Sequence, residues 1–282
     1  MEWVDNLNKA IDYIEKHLTE EIDCNILARI ACCSSFHFQR MFAYIAGVTL
    51  YEYIRTRRMA LAAVDLQNKK DKIIDIAFKY GYDSPTAFNR AFKNVHKVAP
   101  SAARKEGTVL KAYPPISFKV VLKGATNMDY KLKRTEQFKI IGIKMPLYKD
   151  MEKNFVEVPK MWQKAIKEGV VEKLCGYMDT PNKGVLGVSA CGPNEDWTYY
   201  IAAVSTKSAE FPFEEYIVPA STWAIFSGQG TGLSIQQLEQ RIITEWLPTS
   251  GYEYADAPDI EVYYNSDQSN MKYEVWIPVR KK

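Results

Sequence analysis

Histidine and cysteine are scarce in this chain, with three and five among 282 residues. The cysteines, Cys24, Cys32, Cys33, Cys175 and Cys191, are odd in number and form no Cys-x-x-Cys pair, which argues for reduced thiols and against a disulfide or zinc framework. No metal and no other cofactor is expected. A run of about 18 apolar residues is also missing, so no membrane partner is expected; the longest uncharged stretch, Tyr216 to Leu238, is broken by Pro219 and several Gly and Gln residues. The opening MEWVDNLNKA carries acids and lacks the apolar core of a secretory signal, so a cytoplasmic protein is expected. There is no Gly-rich phosphate loop and no Ser/His/Asp spacing, and His17, His37 and His96 all lie in the first hundred residues. Catalysis is therefore not expected.

What is present suits two ordered domains. The composition is 47% hydrophobic and 13% aromatic, enough for packed cores, and the length exceeds one ordinary domain. Charge is divided unevenly. Residues 1–25 hold two Lys against seven acids, residues 26–105 hold fourteen Lys and Arg against five acids, and residues 107–282 are balanced. A basic block in an otherwise neutral chain fits a phosphate-bearing partner, because neutralised phosphates release counterions. The plain alternative is a solvated basic face.

Apolar residues at three- and four-residue steps (Trp3, Leu7, Ile11, Ile14, Leu18) predict a first amphipathic helix. A short helix over Asn25 to Ala31 is followed by one capped by Ser34 or Ser35 and stopped at Gly47. A long helix is predicted from Leu50 to Asn68, then a short one over Ile73 to Tyr80, and a helix capped by Ser84 with Pro85 in its first turn. The two halves repeat each other: ARIACCSSFHFQRMF at Ala28 and AFKYGYDSPTAFNRAF at Ala77 each give short helix, turn and capped helix. Phe38 and Phe42, like Phe88 and Phe92, share one face, which points Arg40 and Arg90 away from the cores. The long helix would span about 28 Å at about 1.5 Å per residue, so one chain could place two helices in successive major grooves of double-stranded DNA.

SSFHFQRMFAYIAGVTLYEYIRTRRMALAAVDL, followed by IIDIAFKYGYDSPTAFNRAFKNVHKVAPSAAR, resembles the AraC/XylS family DNA-binding domain over about 100 residues. The resemblance implies that Phe36, Gln39 and Arg40 on the first reading helix, and Thr86, Asn89 and Arg90 on the second, lie near bases or phosphates. Ser35 and His37 are further candidates, His37 as a phosphate or surface contact. Cys32 stands where the second unit has Gly81, so the first turn is expected to be less tight.

After a linker over Lys105 to Pro115 the helical period gives way to strand-like runs. These are Ile116 to Leu122, Phe138 to Met145, Gly184 to Cys191 and Trp197 to Val204, with a helix over Val156 to Glu168. The second set is Tyr216 to Val218, Thr222 to Ser227, a helix over Ser234 to Trp246, then Ile260 to Asn265 and Tyr273 to Val279. Strand, helix and two strands, twice over, predict a duplicated α+β domain of βαββ repeats with antiparallel pairing. The expected division is a helical double helix-turn-helix domain over 1–108, linker and first strand over 109–127, and the α+β domain over 128–282.

The phrases YIVPASTWAIFSGQGT, EWLPTSGYEYADAPDIEVYY and YEVWIPV resemble the GyrI-like domain of regulators. That resemblance implies a small-molecule effector and marks Glu261 as the acid at the base of an aromatic pocket, suited to a lipophilic cation. Strand alternation puts Tyr263 on the face of Glu261, and Trp197 on the face of Tyr199; Trp223 is the remaining candidate contact. The chain is thus expected to be a transcription regulator that meets DNA, an effector and RNA polymerase. A GyrI-like hydrolase of reactive electrophiles, or a C-terminal domain that binds a protein partner, are the alternatives.

Overall fold

The computed structural model describes residues 2–68, 70–118, 127–148, 151–181, 184–191, 197–265, 267 and 269–282. The side chains of Glu2, Trp3, Phe36, Met151 and Glu152 lie outside that description. The chain forms two compact units, Met1–Val121 and Leu122–Lys282. No helix among the described residues is long and apolar enough to cross a membrane.

The first unit is helical: α1 (Glu2–Lys16), α2 (Cys24–Ile30), α3 (Ser35–Ala46), α4 (Leu50–Asn68), α5 (Ile73–Lys79), α6 (Pro85–His96) and the single turn α7 (Pro100–Ala103). Its boundaries follow local chemistry. Ser34 Oγ accepts from the His37 amide and Ser84 Oγ from that of Ala87, satisfying donors that a helix start leaves open. Ser35 therefore occupies the first turn of α3 and is not its cap. Gly47, at φ 70°, ends α3 in the left-handed conformation. The repeated phenylalanines are packed as their spacing requires. Phe38 and Phe42 are fully buried with rings 6.2 Å apart, and Phe88 and Phe92 are fully buried with rings 5.8 Å apart.

The turn of the first unit departs from expectation. The Cys33 amide donates to Ala28 O at 3.0 Å, and in the second unit Tyr82 donates to Ala77 O at 3.0 Å. The turns are equally tight because Cys32 takes φ 57°, the region Gly81 enters at φ 79°. A side chain held there is strained by about 1 kcal/mol.

The strand expected over 116–122 is not formed in its described part. Residues 109–118 form neither helix nor strand and belong to the helical unit, where Phe118 meets Phe42 edge to face with centroids 6.0 Å apart. The rest of that segment lies outside the described residues.

The second unit is one antiparallel sheet with helices. Its elements are β1 (Lys131–Thr135), β2 (Phe138–Pro146), α8 (Met151–Lys167), α9 (Val170–Tyr177), β3 (Val185–Cys191) and β4 (Trp197–Val204), then β5 (Glu214–Val218), β6 (Ser221–Gly230), α10 (Gly232–Arg241), β7 (Tyr252–Tyr254), β8 (Asp259–Tyr263) and β9 (Met271–Lys281). A π-helical turn, Ile242–Trp246, continues α10. The expected helix over 156–168 begins earlier, at Met151, and β1, α9 and β7 were not foreseen. The strands lie in the order β1-β6-β9-β8-β3-β4-β2-β5, with β7 also on β9. The order has a symmetry: β1 of the first run pairs with β6 of the second, β5 of the second pairs with β2 of the first, and β3 meets β8 at the centre.

Strand alternation sends residues to two cores. Ile140, Leu186, Val188, Tyr200, Trp223, Ile225, Ile260, Val262 and Trp276 pack on one face. Val185, Tyr199, Ile201 and Ala203 pack on the other, against Ala165 and Leu174 of α8 and α9. The outermost strands are charged and of opposite sign, with Lys131, Lys133 and Arg134 in β1 and Glu214 and Glu215 in β5. Charge on an edge discourages pairing with another sheet.

The two turns generate a paired test. Cys32→Gly should raise stability by about 1 kcal/mol and Gly81→Ala should lower it by at least that much, the latter because a Cβ there would also stand 3.1 Å from Arg58 Nη1. Denaturant unfolding followed by helical circular dichroism measures both.

Candidate functional site

The two helix-turn-helix units present their second helices differently. Thr86, Asn89 and Arg90 of α6 are exposed, while His37, Gln39 and Arg40 of α3 are buried. The expectation that both arginines project outward holds for Arg90 and fails for Arg40. The Arg40 guanidinium turns along its own helix and lies 5.7 Å from the centre of the Tyr44 ring, a cation–π distance. His37 is held by its own cap, with Nδ1 2.9 Å from Ser34 Oγ. Ser35 is partly buried, and the Phe36 side chain is outside the described residues.

Part of the basic block is spent inside the unit. Arg57 is bound to the Glu15 carboxylate through Nε and Nη2, at 2.9 and 2.6 Å. Arg58 donates to Leu18 O and Glu20 O, and Arg104 to Asp71 O. Arg29, Arg55, Arg90, Lys93 and Lys97 remain exposed. A count of charge along the sequence therefore overstates the charge a phosphate backbone would meet.

In the second unit the central strands build a carboxylate site. Glu261 in β8 lies opposite Gly187 in β3. Its Oε2 accepts from Tyr263 Oη at 2.8 Å and from Tyr199 Oη, on β4, at 3.2 Å. Trp162 of α8 donates from Nε1 to Tyr199 Oη at 2.9 Å, and its ring meets that of Tyr263 edge to face at 4.9 Å. Gly187 makes this convergence sterically possible. A Cβ there would collide with Tyr199 Oη and stand 2.8 Å from Glu261 Oε2.

The electrostatics follow from burial. Both phenols are pushed well above their ordinary ionisation range, first by burial and then by the Glu261 charge. Glu239, buried on α10, adds negative charge that acts on both hydroxyls. Tyr199 and Tyr263 thus stay protonated and donate to the Glu261 carboxyl group.

Of the aromatic residues expected around Glu261, Tyr199 and Tyr263 touch it. Trp197 begins β4 two residues before Tyr199, on the same strand face. Trp223 does not join them: it is fully buried in the opposite core, 6.0 Å from the Trp276 ring, with Nε1 donating to Thr135 Oγ1 at 2.9 Å. Trp162, Gly187 and Glu239 were missed from the sequence. Only Gly187 carried a signal, as a glycine inside an apolar strand, which marks close approach of other groups.

Comparison with known proteins sorts the two units. Residues 128–280 match the family described as "GyrI-like small molecule binding domain", and residues 27–106 match the family described as "Helix-turn-helix domain". The chain is 23% identical to the right origin-binding protein of Escherichia coli (strain K12), over 95% of this chain and 96% of that one. It is 36% identical to the HTH-type transcriptional activator AarP of Providencia stuartii over 36% of this chain and 76% of that one. A solved structure of SAV2435 bound to tetraphenylphosphonium resembles 54% of this chain and 94% of its own, at 22% identity and a TM-score of 0.49.

The raised phenols give a pH test whose sign is fixed. A phenol whose folded pKa lies above its unfolded value near 10 contributes stability that is complete below pH 10 and lost as the pH rises further. Ultraviolet difference titration should show Tyr199 and Tyr263 among the tyrosines that ionise only as the domain unfolds in alkali, identified by the signal lost in Tyr199→Phe and in Tyr263→Phe. In Glu261→Gln they should ionise at lower pH.

Proposed function

Because the chain belongs to the GyrI-like small-molecule-binding family and joins that domain to an AraC-type helix-turn-helix domain, we propose that it is a transcription regulator whose effector is a lipophilic cation bound at Glu261. That it is an AraC-type regulator with a small-molecule domain rests on the family matches. The cation is the finer step, and one observation carries it: a carboxylate lies among Tyr199, Tyr263 and Trp162, with its hydrogen bonds supplied by protonated phenols. A bound cation meets the charge, and ring faces attract it further. A neutral ligand would gain only the apolar contact.

On DNA, Thr86, Asn89 and Arg90 are the groups already placed to meet bases or phosphates, supported by their exposure on a capped helix. Ser35, Gln39 and Arg40 on α3 would need a change of side-chain conformation to do the same, since Gln39 and Arg40 are buried and Ser35 is partly buried. The likeness to the activator AarP supports activation, with RNA polymerase as the partner of the DNA-bound chain.

We also read the second unit as a duplication. The sheet supports this through its register: β1 and β5 are each five residues long and pair with the second strand of the other run, and the two runs meet at Gly187 and Glu261. The repeat unit is then two strands, helix and two strands, one strand longer than the βαββ pattern.

Titration with tetraphenylphosphonium, and with a neutral aromatic of similar size, tests the effector site. Glu261→Gln should weaken the cation at least tenfold, about 1.4 kcal/mol, and leave the neutral compound within about twofold. Equal loss of both would overturn the cation reading. Binding that persists while a chemical product accumulates only in the wild type would make Glu261 a catalytic base.

Arg90→Ala should weaken binding to the preferred DNA by about 1 to 3 kcal/mol and relax preference at one base pair. Competition against single-base variants of that DNA separates this from a phosphate contact, which would lower affinity for every sequence alike.

A further inference from the structure

The segment that follows the second helix-turn-helix unit reads in sequence as a linker up to Pro115 and a strand from Ile116, yet over residues 110–118 it is bound to α1, α3, α4 and α6. At its start the Lys111 amide donates to His96 Nδ1 at 3.3 Å, while His96 Nε2 donates to Met59 O at 3.1 Å. Leu110 and Tyr113 pack into the core of the second helix-turn-helix unit. Tyr113 Oη also reaches Val95 O at 3.4 Å, and Tyr113 O accepts from Arg57 Nη1 on α4. The Ile116 amide then donates to Tyr53 Oη, also on α4, at 3.3 Å. Tyr53 and Arg57 are themselves fixed by the Glu15 carboxylate of α1, at 2.7 Å and 2.6 Å. The path ends on the first unit. Phe118 pairs with the Asn8 side chain in both directions, N to Oδ1 at 2.8 Å and O from Nδ2 at 3.0 Å, and sets its ring against Phe42 of α3.

We propose that residues 110–118 are a positioning strap that, together with α4, fixes the spacing of α3 and α6, so that binding across two successive grooves depends on it. The proposal rests on the DNA-binding reading above. α4 is one rod, and each helix-turn-helix unit could pivot about its own end of that rod. The strap adds a second tie, running from α6 across the middle of α4 to α1 and α3. Two reading helices held in one rigid body bind the second groove as an intramolecular step, and the effective concentration for that step falls when the spacing is free to vary. A strap that served only stability would change affinity for one groove and for two alike.

The test uses the full chain. Residues 110–118 are replaced by a Gly/Ser segment of equal length, which keeps the covalent reach and removes the bonds; Asn8→Ala combined with Ile116→Pro is a milder variant that deletes the ties to Phe118 and Tyr53. The probes are a duplex selected from a random pool by the wild-type chain, and the same duplex with one half-site scrambled. The expected result is a loss of about tenfold or more on the intact duplex with the single half-site affinity within about twofold, and a hydroxyl-radical footprint that shrinks from two grooves to one. If the Gly/Ser chain loses its helical signal, the milder variant decides by the same ratio. Unchanged affinity on the intact duplex, or equal loss on both duplexes, overturns the strap. Failure of the wild-type chain to select any duplex would overturn the DNA-binding reading itself.

Discussion

A partly buried carboxylate on a sheet face is costly unless its oxygens are hydrogen-bonded, and the groups around Glu261 meet that demand. Tyr199 comes from β4, Tyr263 from β8, Trp162 from α8, and Gly187 in β3 clears the space where the groups converge. Register is what makes this possible. Sliding β8 by one residue against β3 would send both Glu261 and Tyr263 to the opposite face, where Val188, Ile260 and Trp276 are packed. The carboxylate thus ties three strands and a helix to one alignment.

The helical unit rests on a comparable arrangement with a different outcome. Glu15 and Arg57 are mostly buried, and their bidentate pairing, with Tyr53 added, leaves little charge to offer a ligand. This ion pair is structural: it orders α1 against α4 and holds up the donors and acceptors that the strap uses. The division of labour explains why the most basic stretch of the chain is less basic at its surface. Arginines 57, 58 and 104 satisfy carbonyls and a carboxylate within the unit, while Arg29, Arg55, Arg90 and lysines such as Lys70, Lys72, Lys93, Lys97 and Lys105 stay exposed.

The parts of this structure that were legible in sequence are those set by short-range chemistry. Caps at Ser34 and Ser84, the stop at Gly47, and the phenylalanine pairs of α3 and α6 depend on residues within four positions of each other. The alternation that puts Tyr263 beside Glu261 is equally local. What failed was long-range. Trp223 was named beside Tyr199 as a candidate contact, but which face of β6 coincides with which face of β4 is decided by the chain of pairings through β9, β8 and β3. Residues 110–115 looked like a linker and 116–118 like the start of a strand because the segment's bonds run to residues as distant as Asn8, and its Pro-Pro pair carries no strand or helix period. Strand β1, KLKRT, lacks apolar alternation and is recruited by pairing with β6. Arg40 was placed outward by helical periodicity, which fixes the direction of a Cβ and not the path of a guanidinium that can fold back onto Tyr44.

The duplication we propose bears on how many effectors one chain holds. In the register that matches the two runs, Gly187 of β3 corresponds to Glu261 of β8, and Tyr199, opposite Ser189, corresponds to Tyr273, opposite Tyr263. A symmetric pair of acids at the central position would sit directly across from each other on one face, about 5 Å apart between Cβ atoms, and would repel. Glycine on one side removes that repulsion and opens room for the phenols that serve the acid on the other. Tyr273, the counterpart of Tyr199, donates instead to Ser234 Oγ at 2.9 Å and packs over Gly228, so it helps close its half of the domain and faces no carboxylate in that contact. Matching strands therefore carry unlike chemistry at their centre, so the proposed effector reading would give one acidic site per chain and not a symmetric pair.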